Sequence, residues 1–128
     1  MKARREHVIP LPFQAVKMLR TLQGLTGHRQ HLFPGRDNPL GPMTSHSLRQ
    51  LLKSLGWSGI YSPHATRTTG STRLNEMGYR PDAIEAQLAH ADTNNVRRTY
   101  NHATYLDERK VMMQERADML DKWVAGSE

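Results

Sequence analysis

Residues 62–90, which decide the fold, read SPHATRTTGSTRLNEMGYRPDAIEAQLAH. Ser62 can cap a helix, and Pro63 suits the first helical position because its missing N–H needs no partner there. Gly78 suits a terminator because glycine readily adopts the left-handed conformation that ends helices. The stretch therefore predicts a helix from about residue 63 to residue 77.

A second helix follows at once, beginning at Arg80-Pro81-Asp82 and ending near His90. Its apolar residues Ile84 and Leu88 are four positions apart, so they are predicted to face inward. Asp92-Thr93-Asn94-Asn95 then predicts a turn. Two adjacent capped helices indicate a mainly helical domain.

The preceding part of the chain predicts two more helices. Apolar residues at three-residue steps predict one from Pro12 to about Leu25. Thr44 or Ser45 can cap another that runs to about Leu55. Its stripe, predicted to be buried, consists of Leu48, Leu51, Leu52 and Leu55. Residues 26–43 between them predict a long ordered loop.

The two ends of the chain complete the predicted fold. Residues 7–11 resemble a short strand that ends at a proline. Thr104 can cap a last long helix whose apolar stripe is Leu106, Met113, Ala117, Leu120 and Val124. The expected fold class is mainly α (α+β), a single domain over residues 1–128 with a short β-strand or hairpin remnant at its start.

Side chains of the last helix suggest packing roles. Met112, Met113 and Met119 are expected to pack, because methionine adapts to irregular gaps. Trp123 and Val124 could pack within the chain or on a neighbouring protomer.

Composition excludes several classes of protein. The chain has 128 residues, a net charge of +6 and no cysteine, which excludes a disulfide framework and a thiolate metal site. Its mean hydropathy is −0.71, and it contains no apolar run near the ~18 residues of a membrane helix. No signal peptide is recognisable. We expect a soluble intracellular protein that does not contact a membrane.

Positive charge is concentrated in the first part of the chain. Residues 1–73 carry 11 basic and 2 acidic side chains, a balance of +9, whereas residues 74–128 carry 7 basic and 10 acidic ones, a balance of −3. Thirteen of the 18 cations are arginine, which favours bidentate phosphate contacts. This distribution indicates a polyanion-binding face, although charge that serves solubility alone would fit the composition too.

His64 and Arg67 form the first candidate constellation. They are three residues apart in the first turns of a predicted helix, so they share a face beside its free N–H groups. A histidine and an arginine directed at one anion suit a phosphate. The alternative is a histidine that caps its helix and an arginine in a surface pair.

His90 and Tyr100 form the second candidate constellation, with Arg97 and Arg98 between them. A tyrosine hydroxyl surrounded by phosphate-binding cations can serve as a nucleophile. The alternative is a tyrosine packed at a helix junction.

Together these residues resemble the catalytic domain of the tyrosine recombinases, or phage integrases. The resemblance covers nearly the whole chain. Its parts are the amino-terminal hairpin with Lys2, the loop Leu32-Phe33-Pro34-Gly35, the H-x-x-R pair, and the motifs Leu74–Gly78, Pro81–Glu85, Gln87–His90 and Tyr100–Arg109. The last motif, with Tyr100, Tyr105, Glu108 and Arg109, is typical of prophage integrases.

The resemblance implies a role for each matching residue. Tyr100 would attack the scissile phosphate of double-stranded DNA and form a 3′-phosphotyrosyl link. Arg67 would clamp the phosphate, His64 would assist proton transfer, His90 would hydrogen-bond the phosphate, and Lys2 would protonate the leaving 5′-oxygen. Such a transition state needs positioned cations and donors, and we expect no metal or other cofactor.

Some assignments stay open. Lys2 is close to the terminus, where fraying is common. Arg4 and Arg5 could contact DNA phosphates, as could Arg36, Arg97 and Arg98. Tyr105 is the rival nucleophile, although packing is the expected role for a tyrosine that starts the last helix.

The family implies more than these residues. Its active site has another arginine, upstream of the hairpin, and its members have a further DNA-binding domain and assemble as homo-oligomers on DNA attachment sites. We expect the chain to be the carboxyl-terminal portion of an integrase catalytic domain, poorly active alone, either from a longer integrase or from a degraded prophage gene.

Competing functions are a non-catalytic DNA-binding module and a plain helical interaction protein. A zinc site from His28 and His31 with His7 or His46 is disfavoured, because no carboxylate or thiolate joins them.

Overall fold

The computed structural model describes residues 7–89 and 105–126, and this part of the chain contains five helices. They are α1 (Phe13–Thr26), α2 (Ser45–Ser54), α3 (Pro63–Glu76), α4 (Pro81–Leu88) and α5 (Leu106–Val124). The prediction of a mainly helical fold is confirmed. None of these five helices combines the length and apolar character needed to cross a bilayer.

The chain divides into two compact units, one comprising Met1–Phe13 with Ser71–Glu128 and the other comprising Gln14–Gly70. The first unit has its apolar core between α3, α4 and α5, where Leu74, Ile84 and Met112 are buried together. Tyr79, Leu88 and Met113 pack against these three residues. The prediction that Ile84 and Leu88 face inward is confirmed.

Local signals end the helices of this unit where the sequence predicts. Gly78 follows α3 with a φ of 85°, a left-handed conformation that glycine adopts without steric cost. Pro81 begins α4, and Ala89 ends it with a φ of 52°. The Asp92–Asn95 turn and the capping residue Thr104 lie outside the described residues.

The predicted strand at residues 7–11 is wrong, because these residues form no β-ladder. The carbonyl of Val8 accepts a hydrogen bond from the Arg109 side chain, and Pro10 is buried and has no N–H to donate. The Arg109 side chain thus supplies the Val8 carbonyl with the hydrogen bond that a partner strand would otherwise donate. Among the described residues, one isolated bridge pairs Pro34 with Pro42.

The apolar stripe of α5 is only partly as predicted. Ala117 is buried and Met113 packs against the core, but Val124 is 89% exposed. Val124 is the last helical residue, and a periodic stripe does not reveal where the neighbouring elements end. Arg109 and Met112 are also buried on this helix.

The second unit contains α1, the loop at residues 27–43 and α2. The Thr26 hydroxyl donates to the carbonyl of Leu32 at 2.9 Å, and the Met43 N–H donates to the carbonyl of Phe33 at 2.7 Å. These bonds order the loop, as predicted. The Thr44 hydroxyl accepts from the N–H of Ser47 at 3.2 Å, which confirms a cap before Ser45.

The leucine stripe of α2 is not buried as predicted. Leu51 is 53% exposed and Leu55 is 63% exposed, and Leu48 and Leu52 are half-buried. Helical periodicity places leucines on one side, but burial requires a second element against that side. No residue of α1 or α2 is buried.

Candidate active site

The first turns of α3 are built by the residues that precede it. The Ser62 hydroxyl accepts from the N–H of Ala65 at 3.3 Å, and Pro63 occupies the first helical position. Tyr61 donates its hydroxyl hydrogen to the Thr66 hydroxyl at 2.8 Å, which ties the entering chain to the helix. The rings of Trp57 and Tyr61 pack in a T-shaped arrangement, with 6.3 Å between the ring centroids.

His64 and Arg67 are both exposed on this capped turn. Their three-residue spacing within α3 places them on the same side of the helix. Ser62 supplies the cap, so the reading of His64 as the capping residue is wrong. An exposed imidazole and guanidinium beside the amino-terminal end of a helix, where the dipole is positive, can bind one anionic group.

The other predicted catalytic residues, Lys2, His90 and Tyr100, lie outside the described residues. So do four predicted DNA contacts, Arg4, Arg5, Arg97 and Arg98. Convergence of His64 and Arg67 with these residues stays a prediction. Arg36, the remaining predicted DNA contact, is exposed in the loop of the second unit.

Tyr105, the rival nucleophile, lies directly before α5 in a cluster of side chains. Its hydroxyl donates to Oδ2 of Asp82 at 3.4 Å, and the Arg80 guanidinium lies over its ring, 4.6 Å from the centroid. Arg80 also forms an ion pair with Glu108. These contacts hold Tyr105 between α4 and the start of α5.

Hydrogen bonds to Glu108 and Glu115 accompany shifted pKa values in the first unit. The hydrogen bond from Arg80 lowers the pKa of Glu108 and raises that of Arg80. Burial, followed by a hydrogen bond to Glu115, raises the pKa of Tyr79 to about 12. Tyr79 is therefore held in its neutral form, which makes it a hydrogen-bond donor.

The burial of Arg109 is what the sequence patterns did not predict. Arg109 is 1% exposed, and burial lowers the pKa of its guanidinium. A signal was present, because Arg109 stands three residues after Leu106 and four before Met113 and so occupies the apolar stripe itself.

The histidines considered for a zinc site, which the sequence disfavours, are His7, His28, His31 and His46. Within residues 7–89 and 105–126, no three histidine, aspartate or glutamate side chains form a group that could hold a metal ion. His7 instead lies with Nε2 3.2 Å from the carbonyl oxygen of Gln87.

A mainly helical unit and an exposed H-x-x-R pair on a capped helix agree with the sequence resemblance, and residues 1–107 match the phage integrase family. The chain belongs to that family. It is 43% identical over 127 residues to the prophage integrase IntA of Escherichia coli (strain K12). The aligned region covers 99% of this chain and 31% of the relative.

Two phage proteins show similar likeness. The integrase of Shigella phage Sf6 is 42% identical over 97% of the chain, and that of Enterobacteria phage P4 is 38% identical over 94% of it. The chain covers 32% and 28% of these two relatives, so it spans about a third of their length. No solved structure matches the chain significantly.

Proposed function

We propose that the protein carrying this chain is a site-specific DNA recombinase that works through a covalent 3′-phosphotyrosyl intermediate. The observation that carries the proposal is the exposed His64–Arg67 pair on the capped first turns of α3, in a chain of the phage integrase family. Relatives named integrases and prophage integrases support the same activity.

Each proposed step follows from the chemistry of the side chains. The Tyr100 hydroxyl attacks phosphorus, and His64 accepts the phenolic proton as the new phosphorus–oxygen bond forms. The bond from phosphorus to the 5′-oxygen breaks, and Lys2 gives that oxygen a proton. Arg67 and His90 hold the non-bridging oxygens, where charge builds up in the transition state. Reversal by another 5′-hydroxyl rejoins DNA without ATP.

DNA is the proposed partner because of charge as well as family. The unit Gln14–Gly70 contains seven basic side chains and one acidic side chain, Asp37. Several lysine and arginine contacts to phosphates release counterions, so affinity should fall steeply with salt. We propose that Arg36 is one such contact, together with Arg4, Arg5, Arg97 and Arg98, and that the whole protein assembles as a homo-oligomer on its attachment sites.

None of the arginines in the 128 residues matches the motif of the family's upstream catalytic arginine. Because the chain spans only 31% of the prophage integrase IntA, we propose that it acts within a longer protein, and that the longer protein forms covalent product efficiently whereas these residues alone form it poorly.

A nicked DNA substrate tests the proposal, because the nick lets the leaving fragment diffuse away and traps the covalent complex. A duplex library with random sequence around the nick serves as the probe, and protein-linked DNA is recovered under denaturing conditions and sequenced. The longer protein should link DNA at one enriched sequence, and Tyr100→Phe should abolish linkage.

Tyr105→Phe is the matched control, because it removes the hydroxyl of the other tyrosine in the same motif. It should retain linkage. Loss with Tyr105→Phe and survival with Tyr100→Phe would move the nucleophile to Tyr105. Salt-dependent binding with no linkage in any protein would instead favour the non-catalytic DNA-binding module.

A further inference from the structure

Arg109 is the one charged side chain buried within the described residues, at 1% exposure near the start of α5. A buried guanidinium loses its hydration, so it is tolerated only where hydrogen bonds replace water. Because Ile84 and Met112 already belong to the apolar core of this unit, a buried charge on the same helix as Met112 needs an explanation beyond filling space.

The guanidinium joins three segments of the chain. Its Nε donates to Oε1 of Gln87, in the last turn of α4, at 2.9 Å. Its Nη2 donates to the carbonyl oxygen of Val8 at 2.7 Å. The carbonyl of Gln87 also accepts from Nε2 of His7 at 3.2 Å, so the residue 7–8 segment is bonded directly to α4 through His7 and to α5 through Arg109.

Each tied segment leads into a proposed catalytic residue. His90 follows Gln87 by three residues, Tyr100 precedes Arg109 by nine, and Lys2 precedes Val8 by six. His64 and Arg67 are not part of this arrangement. One side chain thus joins three described points of the chain, each within nine residues in sequence of a proposed catalytic residue.

We propose that Arg109 is a positioning residue for the recombination chemistry: it joins Val8, Gln87 and α5, the described parts of the chain that lead in sequence to Lys2, His90 and Tyr100. The inference rests on the proposed function. Arginine suits the role because its planar fork donates to two acceptors in different directions, whereas lysine offers a single ammonium and methionine offers no donor.

The first test separates chemistry from DNA binding in the longer protein, using the nicked sequence enriched above. Arg109→Met should slow covalent linkage at saturating DNA about 100-fold, the scale of loss that a small misplacement of catalytic groups produces. The DNA concentration giving half-maximal linkage should change less than about threefold, because phosphate contacts are made elsewhere. Arg109→Lys, which reaches one acceptor at a time, should recover part of the rate.

Arg116→Met is the matched control, because it removes an arginine of the same helix. Rates are compared per folded molecule, with the folded fraction taken from circular dichroism. If Arg109→Met and Arg116→Met link DNA at equal rates on that basis, Arg109 serves stability only and the proposal is overturned.

A second test needs no catalysis and uses the 128-residue chain. Ring resonances of His90 and Tyr100, assigned with His90→Gln and Tyr100→Phe, should shift in Arg109→Met and in the milder Gln87→Leu but not in Arg116→Met. Unmoved resonances would overturn the positioning role. If the longer protein forms no linkage at all, the proposed chemistry fails, and this spectrum alone decides whether Arg109 positions the segments.

Discussion

Truncation of Ile84 should destabilise the first unit strongly, because that side chain is 1% exposed between Leu74 of α3 and Met112 of α5. Ile84→Ala removes three carbon atoms, and about 0.8 kcal/mol per buried methylene gives a transfer loss of about 2.4 kcal/mol. The cavity left behind adds to this, since three helices restrain collapse. We expect a total loss of about 3–4 kcal/mol in the free energy of unfolding.

Urea titration followed by fluorescence measures this loss. Trp123 belongs to the first unit and Trp57 to the second, so a Trp57→Phe background leaves Trp123 as the reporter. Ile84→Val should lose about 1 kcal/mol and gives a graded value even if Ile84→Ala is largely unfolded.

Val124→Ala is the surface control, and its loss should stay within about 0.5 kcal/mol, since Val124 is 89% exposed. A loss below about 1 kcal/mol for Ile84→Ala would refute the core described here.

Three further outcomes follow from single contacts. Because its folded pKa is raised to about 12, Tyr79 should ionise late in an absorbance titration at 295 nm. The stability that its neutral form contributes should be lost as pH rises from ~10 through 12, and Tyr79→Phe should abolish this fall in stability with pH. The lowered pKa of Glu108 predicts the opposite sign, so Glu108→Gln should be less stable at pH 7, and thermal melts of variant and wild type should converge below pH ~4.3. In Gly35→Ala the new Cβ would lie 2.7 Å from the backbone oxygen of Asn38, so amide resonances of residues 33–43 should move, and an unchanged spectrum would contradict the close approach.

Helix boundaries could be predicted here because their signals act on the nearby backbone. The Ser62 hydroxyl reaches an N–H three residues away, and Gly78 ends α3 through its own φ. Neither signal requires knowledge of what packs against the helix. Caps and terminators therefore predicted α3 and α4 to within a residue or two.

Burial could not be predicted in the same way, because it depends on distant partners. The leucines of α2 have the right spacing for a core, yet Leu55 is 63% exposed. Residues 7–11 have a composition suited to a strand, but the Val8 carbonyl accepts its hydrogen bond from Arg109, about a hundred residues later in the chain. Arg109 therefore accounts for two failures of prediction: it bonds the carbonyl that a strand would have paired, and it is buried although it is charged.

The candidate site could be predicted only in part, and the composition of α3 explains why. This helix carries few apolar residues, and its buried positions, Gly70 and Leu74, lie in its second half. Periodicity therefore says little about its first turns, where His64 and Arg67 are exposed. The Ser62 hydroxyl caps the start of this helix and Leu74 packs in the core near its end, so a ligand could bind at the first turns without disturbing the core. The low amphipathicity that weakens the helix as a structural signal also leaves its amino-terminal end exposed, as the proposed phosphate contact requires.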